Sequence, residues 1–458
     1  MKMNKWLALF MVLVLVAVTA ACGKKEETPQ AGGDTTKVDT TPDTVKVWTY
    51  PVHGTYENDM KDLVADFNKQ YPHIKVEYEV MSWAEGPKKF DVALNAGDPP
   101  DLYFGALNGS YVSTGLVLPL DSYMTPQIKE DFLPGTLETM QMNGKQYGIP
   151  IYQSLWGWGG NKRILTEAGV DYKKIQEKGW TWTEFLDIAK KLTKKLPNGT
   201  QQYAITTDNS TDFIDMLSKA NGLVDAVDEK GNFIWNDNKM LDTLKFIDTL
   251  RKEGYMPKEV GALTPAKRTD MFYAGQSAII SKAIPYYDIM IANRNKDIDA
   301  GKVQGEKIEY IQLPVPHGDG ISGYGKTAGG GEGYIMFRQK NDKGAQHAKN
   351  AFLVMEALTG AKAGNSANEL ALPFVRKSQA KAFEGKSLAK PENVVAATNM
   401  RNNASVNVSL TIDADKAAKL KQYREQVLKP TFQALLAGEK TPEAAADDLK
   451  SKGTQMLK

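Results

Sequence analysis

The chain has 458 residues, 42% of them hydrophobic and 24% charged, with 57 Lys+Arg against 55 Asp+Glu and a formal net charge of +2. That length is more than one hydrophobic core usually serves, so an α/β or other globular chain of two lobes is expected. Near-neutrality without a long basic cluster excludes a polyanion partner, nucleic acid included, and a single cysteine excludes an internal disulfide.

Lys2 and Lys5 precede an uncharged run from Trp6 to Ala21. The run is shorter than the roughly 20 apolar residues that span a bilayer, so residues 1–21 read as a secretory signal peptide. No later run is long enough to cross a membrane, which excludes a channel or permease. The segment Val18-Thr19-Ala20-Ala21-Cys22 resembles a bacterial lipobox, whose cysteine takes a diacylglyceryl group and becomes the new N-terminus. Thr19 stands where an aliphatic residue is usual, and ordinary cleavage leaving a free thiol is the alternative. Residues 22–44 would follow the lipidated Cys22 as a disordered tether, poor in apolar residues and with a reach of roughly 25 Å. The expected location is the outer face of the cytoplasmic membrane, as an exported lipoprotein.

Val45 to Tyr50 alternates like a strand, Met60, Leu63, Val64 and Phe67 recur at helical spacing, and Ile74 to Val80 alternates again. This is a beta-alpha-beta unit with parallel strands. A helix is expected over 85–96, then a short buried strand after Gly97-Asp98-Pro99-Pro100-Asp101. Gly144 to Pro150 predicts a hairpin turn feeding a strand that continues through Trp156 and Trp158. Thr181-Trp182-Thr183-Glu184 is a capping box opening a helix. Further helices are predicted over 211–219, 238–252, 265–274, 345–358 and 415–436, with Thr441-Pro442 starting the last one. In doubly wound sheets ligands bind beyond the carboxyl ends of the strands, so those loops are the place to look.

Several segments, in order along the chain, resemble the extracellular solute-binding proteins of ABC sugar importers, the group that includes maltose-binding proteins. They are Trp48-Thr49-Tyr50, Tyr71 to Val76, Gly97 to Leu102, Gly115 to Leu120, Tyr147 to Pro150, Gly159 to Lys162, Trp180 to Phe185, Phe272 to Ala278, Gly329-Gly330-Gly331 and Thr441 to Ala445. The resemblance implies a two-lobed periplasmic-binding-protein-like (type II) fold, each lobe a doubly wound sheet flanked by helices and hinged by crossing strands. The chain would cross near Tyr152, Leu313-Pro314 and Pro373. That gives an N-terminal lobe of residues 45–152 plus 314–374 and a C-terminal lobe of 153–313 plus 375–458. It further implies a monomer that captures a carbohydrate, an oligosaccharide by the number of aromatics, and presents it to ABC permease subunits without any cofactor.

A sugar offers apolar ring faces and a rim of hydroxyls, so its site needs flat aromatics and a few fixed polar groups. The aromatic candidates are Trp83, Tyr152, Trp156, Trp158, Tyr286 and Tyr287; the polar ones are His53, Asp101, Asn108 and Asp288. Tyr286 takes the place of the aromatic that follows a Gly-Pro turn in the family, although Ile284 replaces the glycine. Each has an alternative role in core or turn. The run Gly329-Gly330-Gly331-Glu332-Gly333 lacks the Lys-Ser/Thr of a P-loop and reads as a close approach of backbone at the cleft. The rival functions are an exported carbohydrate-active enzyme, which needs paired carboxylates, and the same fold caging a quaternary ammonium compound. Four scattered histidines give no metal-ligand spacing. Asp208 to Asp212 lacks the glycine and distal glutamate of a calcium loop and reads as a turn.

Overall fold

Alternation settles the first element. In β1 (Asp43–Thr49) Val45, Val47 and Thr49 are buried while Lys46 is exposed, the period-2 pattern of a half-covered strand. This is a computed structural model; it describes residues 40–457 apart from Ser387 and Ala389. The signal peptide, Cys22 and most of the tether lie outside the described residues.

α1 (Tyr56–Gln70) buries Tyr56, Met60 and Phe67, and β2 (Ile74–Val80) returns parallel to β1, from Asp43 opposite Ile74 to Thr49 opposite Val80. α2 (Gly86–Ala96) stops at Gly97, whose φ of 81° only glycine adopts freely. β3 (Leu102–Ala106) then pairs parallel with the other side of β1, and a short α3 (Gly109–Ser113) follows. Asn143 and Gly144, with φ of 52° and 74°, turn the predicted hairpin between Gln141–Met142 and Lys145–Gln146, the Asn-Gly signature of a tight hairpin.

The chain then runs through the long strand β4 (Gly148–Asn161). The capping box opens α4 (Trp182–Leu192) as expected: the Glu184 amide donates to Thr181 Oγ1 at 3.1 Å and the Thr181 amide to Glu184 Oε2 at 2.9 Å. Next come β5 (Gln201–Thr206), α5 (Asp212–Ala220), β6 (Ser277–Ala283), α6 (Tyr286–Asp299), β7 (Tyr310–Leu313) and β8 (Ala328–Met336). The chain ends through α7 (Ala345–Thr359), α8 (Pro391–Asn402), α9 (Ala414–Tyr423), α10 (Lys429–Ala437) and α11 (Pro442–Met456). One element differs from expectation: the single helix expected over 415–436 is broken by a π-helical turn, Arg424–Leu428. Pro430, which lacks an amide hydrogen, sits just beyond that turn.

All these strands form one mixed sheet in the order β2-β1-β3-β8-β4-β6-β5, with β7 also paired to β4. β8 runs antiparallel to both β3 and β4. Two large hydrophobic cores lie along this sheet, and a smaller cluster contains Phe272, Ile280, Ala283, Tyr287, Ile291, Ile308 and Tyr310. The first contains Val47, Phe104, Tyr334 and Met355; the second contains Trp158, Phe185, Phe213, Leu244 and Phe432. β4 passes from the first, at Tyr152, to the second, at Trp158, and β8 passes back from Ala328 in the second to Tyr334 in the first. Val315 still belongs to the second core.

Candidate functional site

The site grows from the ladder between β4 and β8, which pairs Ala328 with Trp156 and Glu332 with Tyr152. Glycines make that pairing close. A Cβ at Gly329 would lie 2.1 Å from the Ser154 carbonyl oxygen, and one at Gly333 would lie 2.0 Å from that of Ile149. The glycine-rich run is thus a close backbone approach, as its sequence suggested. Above this floor opens a cavity of about 510 Å³. Ser154, Trp156 and Glu332 rise from the floor. Ala106 and Asn108, at the end of β3, form the wall beside the first core. Thr211, Asp212 and Asp215 at the start of α5 also line the cavity, as do Asn407, Leu420, Lys421 and Arg424.

The polar groups of the cavity are held by one another. Lys282, at the end of β6 and with φ of 49°, pairs with Asp212 and places its ammonium 4.7 Å from the centre of the Trp156 ring. A left-handed lysine is strained, and such strain concentrates at functional sites. The Tyr152 hydroxyl donates to Glu332 Oε2 at 2.9 Å. Burial pushes the Glu332 carboxyl above its ordinary range, outweighing its hydrogen bonds to Ser154 and Tyr152 and the pull of Lys282. Arg424, on the π-helical turn, pairs with Asp215 and, at 2.8 Å, with Asp225. Burial lifts the Asp215 carboxyl; at Asp225 the opposing effects of Arg424, Lys219 and the Ala226 amide prevail and lower it.

Of the residues singled out from sequence, the structure brings Trp156 and Asn108 to this cavity; the Asn108 Oδ1 also accepts the Ser110 amide at 2.9 Å and caps α3. Trp158 does not line the cavity: it is fully buried, with Trp180, Phe185 and Phe213 around it at ring separations of 6.2, 5.1 and 6.0 Å. By that point the strand has run beneath α4 and α5. Asp101 does not line the cavity either. It is fully buried, accepting from the Lys46 amide at 2.8 Å and from Gln339 and His347 at 2.9 Å each.

Asp288 is likewise buried, against Lys390 and Asn393, both at 2.6 Å. Tyr287 is buried with its hydroxyl 3.2 Å from Arg268, and His53 is buried between Ser366 at 3.2 Å and Asp59 at 3.4 Å. Each of these polar groups is committed to a neighbour within the protein. Tyr152 is packed in the first core and reaches the cavity only through its hydroxyl on Glu332. Tyr286 lies against the first core and bonds the Gly54 backbone. Trp83 is 50% exposed and stacked on Tyr50 at 4.2 Å. Neither lines the cavity. Sequence reasoning passed over Glu332, Asp212, Lys282 and Arg424; a lone charge inside a glycine run was the available signal for Glu332.

Among the described residues no cluster of three or more His, Cys, Asp or Glu is arranged for a metal ion, and no helix is long and apolar enough to cross a membrane. Asp208 accepts the Ser210 amide at 3.0 Å and pairs with Arg268 at 2.9 Å, in the turn leading to α5.

A mixed α/β sheet with flanking helices bears two large cores, with a cavity over the strands they share. Residues 54–365 match the family described as bacterial extracellular solute-binding protein, and the chain belongs to that family. The arabinooligosaccharide-binding protein of Bacillus subtilis is 25% identical over 338 residues, 71% of this chain and 72% of the relative. That of Halalkalibacterium halodurans is 24% identical over 332 residues, 70% of this chain and 68% of the relative. The maltose/maltodextrin-binding domain from Bdellovibrio bacteriovorus, solved with maltotriose, shares the fold with a TM-score of 0.69 at 17% identity, covering 90% of this chain and 99% of that one.

Proposed function

We propose that this chain is the substrate-binding lipoprotein of an ABC importer, capturing an oligosaccharide between two hinged lobes and delivering it unaltered to permease subunits. The observation that carries the reading is the cavity itself. It lies over the two strands that both cores share, and it joins an indole face at Trp156 with the hydrogen-bonding groups of Asn108, Ser154, Thr211, Asp212 and Glu332. That is the mixture a sugar requires: flat apolar surface for the ring and fixed polar groups for its hydroxyls. Family membership and the sugar-binding relatives support it.

In this reading the first lobe comprises residues 45–152 and the segment from β8 to about Phe374, and the second the remainder, a division that core membership supports. Cys22 carries the lipid and residues 22–44 hold the monomer near the membrane, as the sequence order of signal, cysteine and polar run suggests. Thermal unfolding with arabino-, malto-, xylo- and cello-oligosaccharides tests the whole. A bound sugar raises Tm in proportion to ln(1 + [L]/Kd) and is recovered intact by mass spectrometry. Absence of a shift with every sugar defeats the carbohydrate reading, and recovery of shortened sugars defeats the non-enzymatic one.

A further inference from the structure

Between Ala328 and Tyr334, β8 carries one side chain, Glu332; its other positions are Gly329, Gly330, Gly331 and Gly333. The glycines serve backbone approach, so the charged residue kept among them needs its own explanation. Glu332 stands opposite Tyr152, and the register slips between Glu332 and Gly333. A bulge of this kind bends a strand and re-aims a side chain. The extra residue, Ile151, lies on β4, so the bend falls in β4 next to the Glu332–Tyr152 pair, and Glu332 lines the cavity.

The bonds of that carboxyl run to the strands that must flex if the lobes move. Tyr152 and Ser154 on β4 hydrogen-bond it, and Lys282 at the end of β6 attracts it. A carboxylate offers about four lone-pair sites; two are taken, which leaves capacity on the side facing the cavity. A ligand shifts a conformational equilibrium only by binding one state better than the other. A contact made at the bend of two shared strands changes with the bend, whereas a contact made deep within one core does not.

Resting on the carbohydrate reading above, we propose that Glu332 contacts the ligand and couples its presence to the hinge: a sugar hydroxyl donates to the Glu332 carboxyl, and through Tyr152 that contact fixes the bend of β4 against β8. The chemistry favours a neutral sugar hydroxyl. A uronate carboxylate would face both Glu332 and Asp212. Because an ionised carboxyl accepts more strongly than a neutral one, affinity rises with pH as Glu332 titrates among Lys282, Asp212 and Tyr152.

The test uses the full chain with arabinotriose, maltotriose and xylotriose as probes, calorimetric titration from pH 4.5 to 7.5, and small-angle scattering for contraction. The wild type binds at least one trisaccharide, contracts, and binds it more tightly as pH rises. Glu332→Gln weakens that binding about tenfold at pH 7 and flattens the pH profile. Tyr152→Phe, which keeps the ring in the first core, retains binding within a few-fold but contracts less. Glu332→Gln with wild-type affinity and the same pH profile overturns the contact, and Tyr152→Phe with full contraction overturns the coupling, including where the glutamine variant fails to fold. A wild type that binds none of the three removes the carbohydrate reading itself, an outcome distinct from a binder whose Glu332 is silent.

Discussion

Trp156 and Trp158 occupy alternate positions of one strand yet stand in opposite surroundings: the first meets the Lys282 ammonium at the cavity, the second is enclosed by Trp180, Phe185 and Phe213. Truncating them therefore separates binding from stability. Trp156→Ala lowers affinity for the sugar found in the thermal panel by about tenfold or more, since ring stacking is worth about 1 kcal/mol beyond area burial, and shifts Tm little. Trp158→Ala destabilises by about 3–5 kcal/mol, seen as a lower denaturation midpoint, with affinity kept in the molecules that remain folded.

His347 joins Asp43 and Asp101, at 2.9 Å each, and gives a window of pH in which this corner of the first core is most stable. Burial alone lowers the His347 imidazole, but bonds to Asp101 and Asp43 raise it overall. Its contribution is complete below the unfolded value, about 6.5, and is lost as pH rises through the elevated folded value. Burial opposes ionisation of Asp101, yet hydrogen bonds from His347, the Lys46 amide and Gln339 hold its pKa at about 2. That contribution, about 2 kcal/mol by linkage, is present above the unfolded value near 3.9 and disappears toward pH 2. Urea midpoints should be highest between about pH 4 and 6.5, and His347→Gln should abolish the decline on the alkaline side.

Arg424 spans Asp215 and Asp225, so removing it strands two carboxylates beside each other. Arg424→Ala costs about 3–5 kcal/mol at neutral pH. The loss shrinks as pH falls and the orphaned carboxylates protonate. A chemical-denaturation series from pH 7 to 4 reads this directly, and a deficit that stays constant or grows on acidification contradicts the pairing.

The glycines of β8 differ in tolerance. Gly333→Ala places a Cβ 2.0 Å from the Ile149 carbonyl oxygen and 2.7 Å from Pro150 Cα; the ladder must yield, at about 1–3 kcal/mol. Gly330 has nothing within 4 Å of where a Cβ would be, so Gly330→Ala should change stability by no more than about 0.5 kcal/mol. Because Gly330 lines the cavity, any effect of that variant appears in affinity. Paired Tm and titration measurements distinguish the two.

Much of the framework was legible because local chemistry and global fold agree: alternation in β1 and β2, the hairpin turn read at Gly144, the Thr181/Glu184 box and Pro442 at a helix start each act over a few residues. What misled was long-range. The aromatic richness of β4 could not tell Trp156 from Trp158, since the difference comes from the rings of Trp180, Phe185 and Phe213, which stand around Trp158. Asp101 lies just before β3 and Asp288 in the first turn of α6, close in sequence to strands whose ends can carry ligand groups. Their partners, His347 and Asn393, lie far along the chain and could not be paired with them by spacing. Glu332, Lys282 and Arg424 were missed for the same reason: nothing in the sequence brings them together, and the cavity exists only once β8 returns to lie beside β4.

One unbroken hydrogen-bonded sheet, from β2 to β5, threads both cores. The halves therefore cannot come apart by parting a seam; they can only twist about shared ribbons. Heating should reveal a single calorimetric transition, since losing either core leaves β4 and β8 without support on one side. A sheet shared by both cores is thus what makes the molecule melt as one.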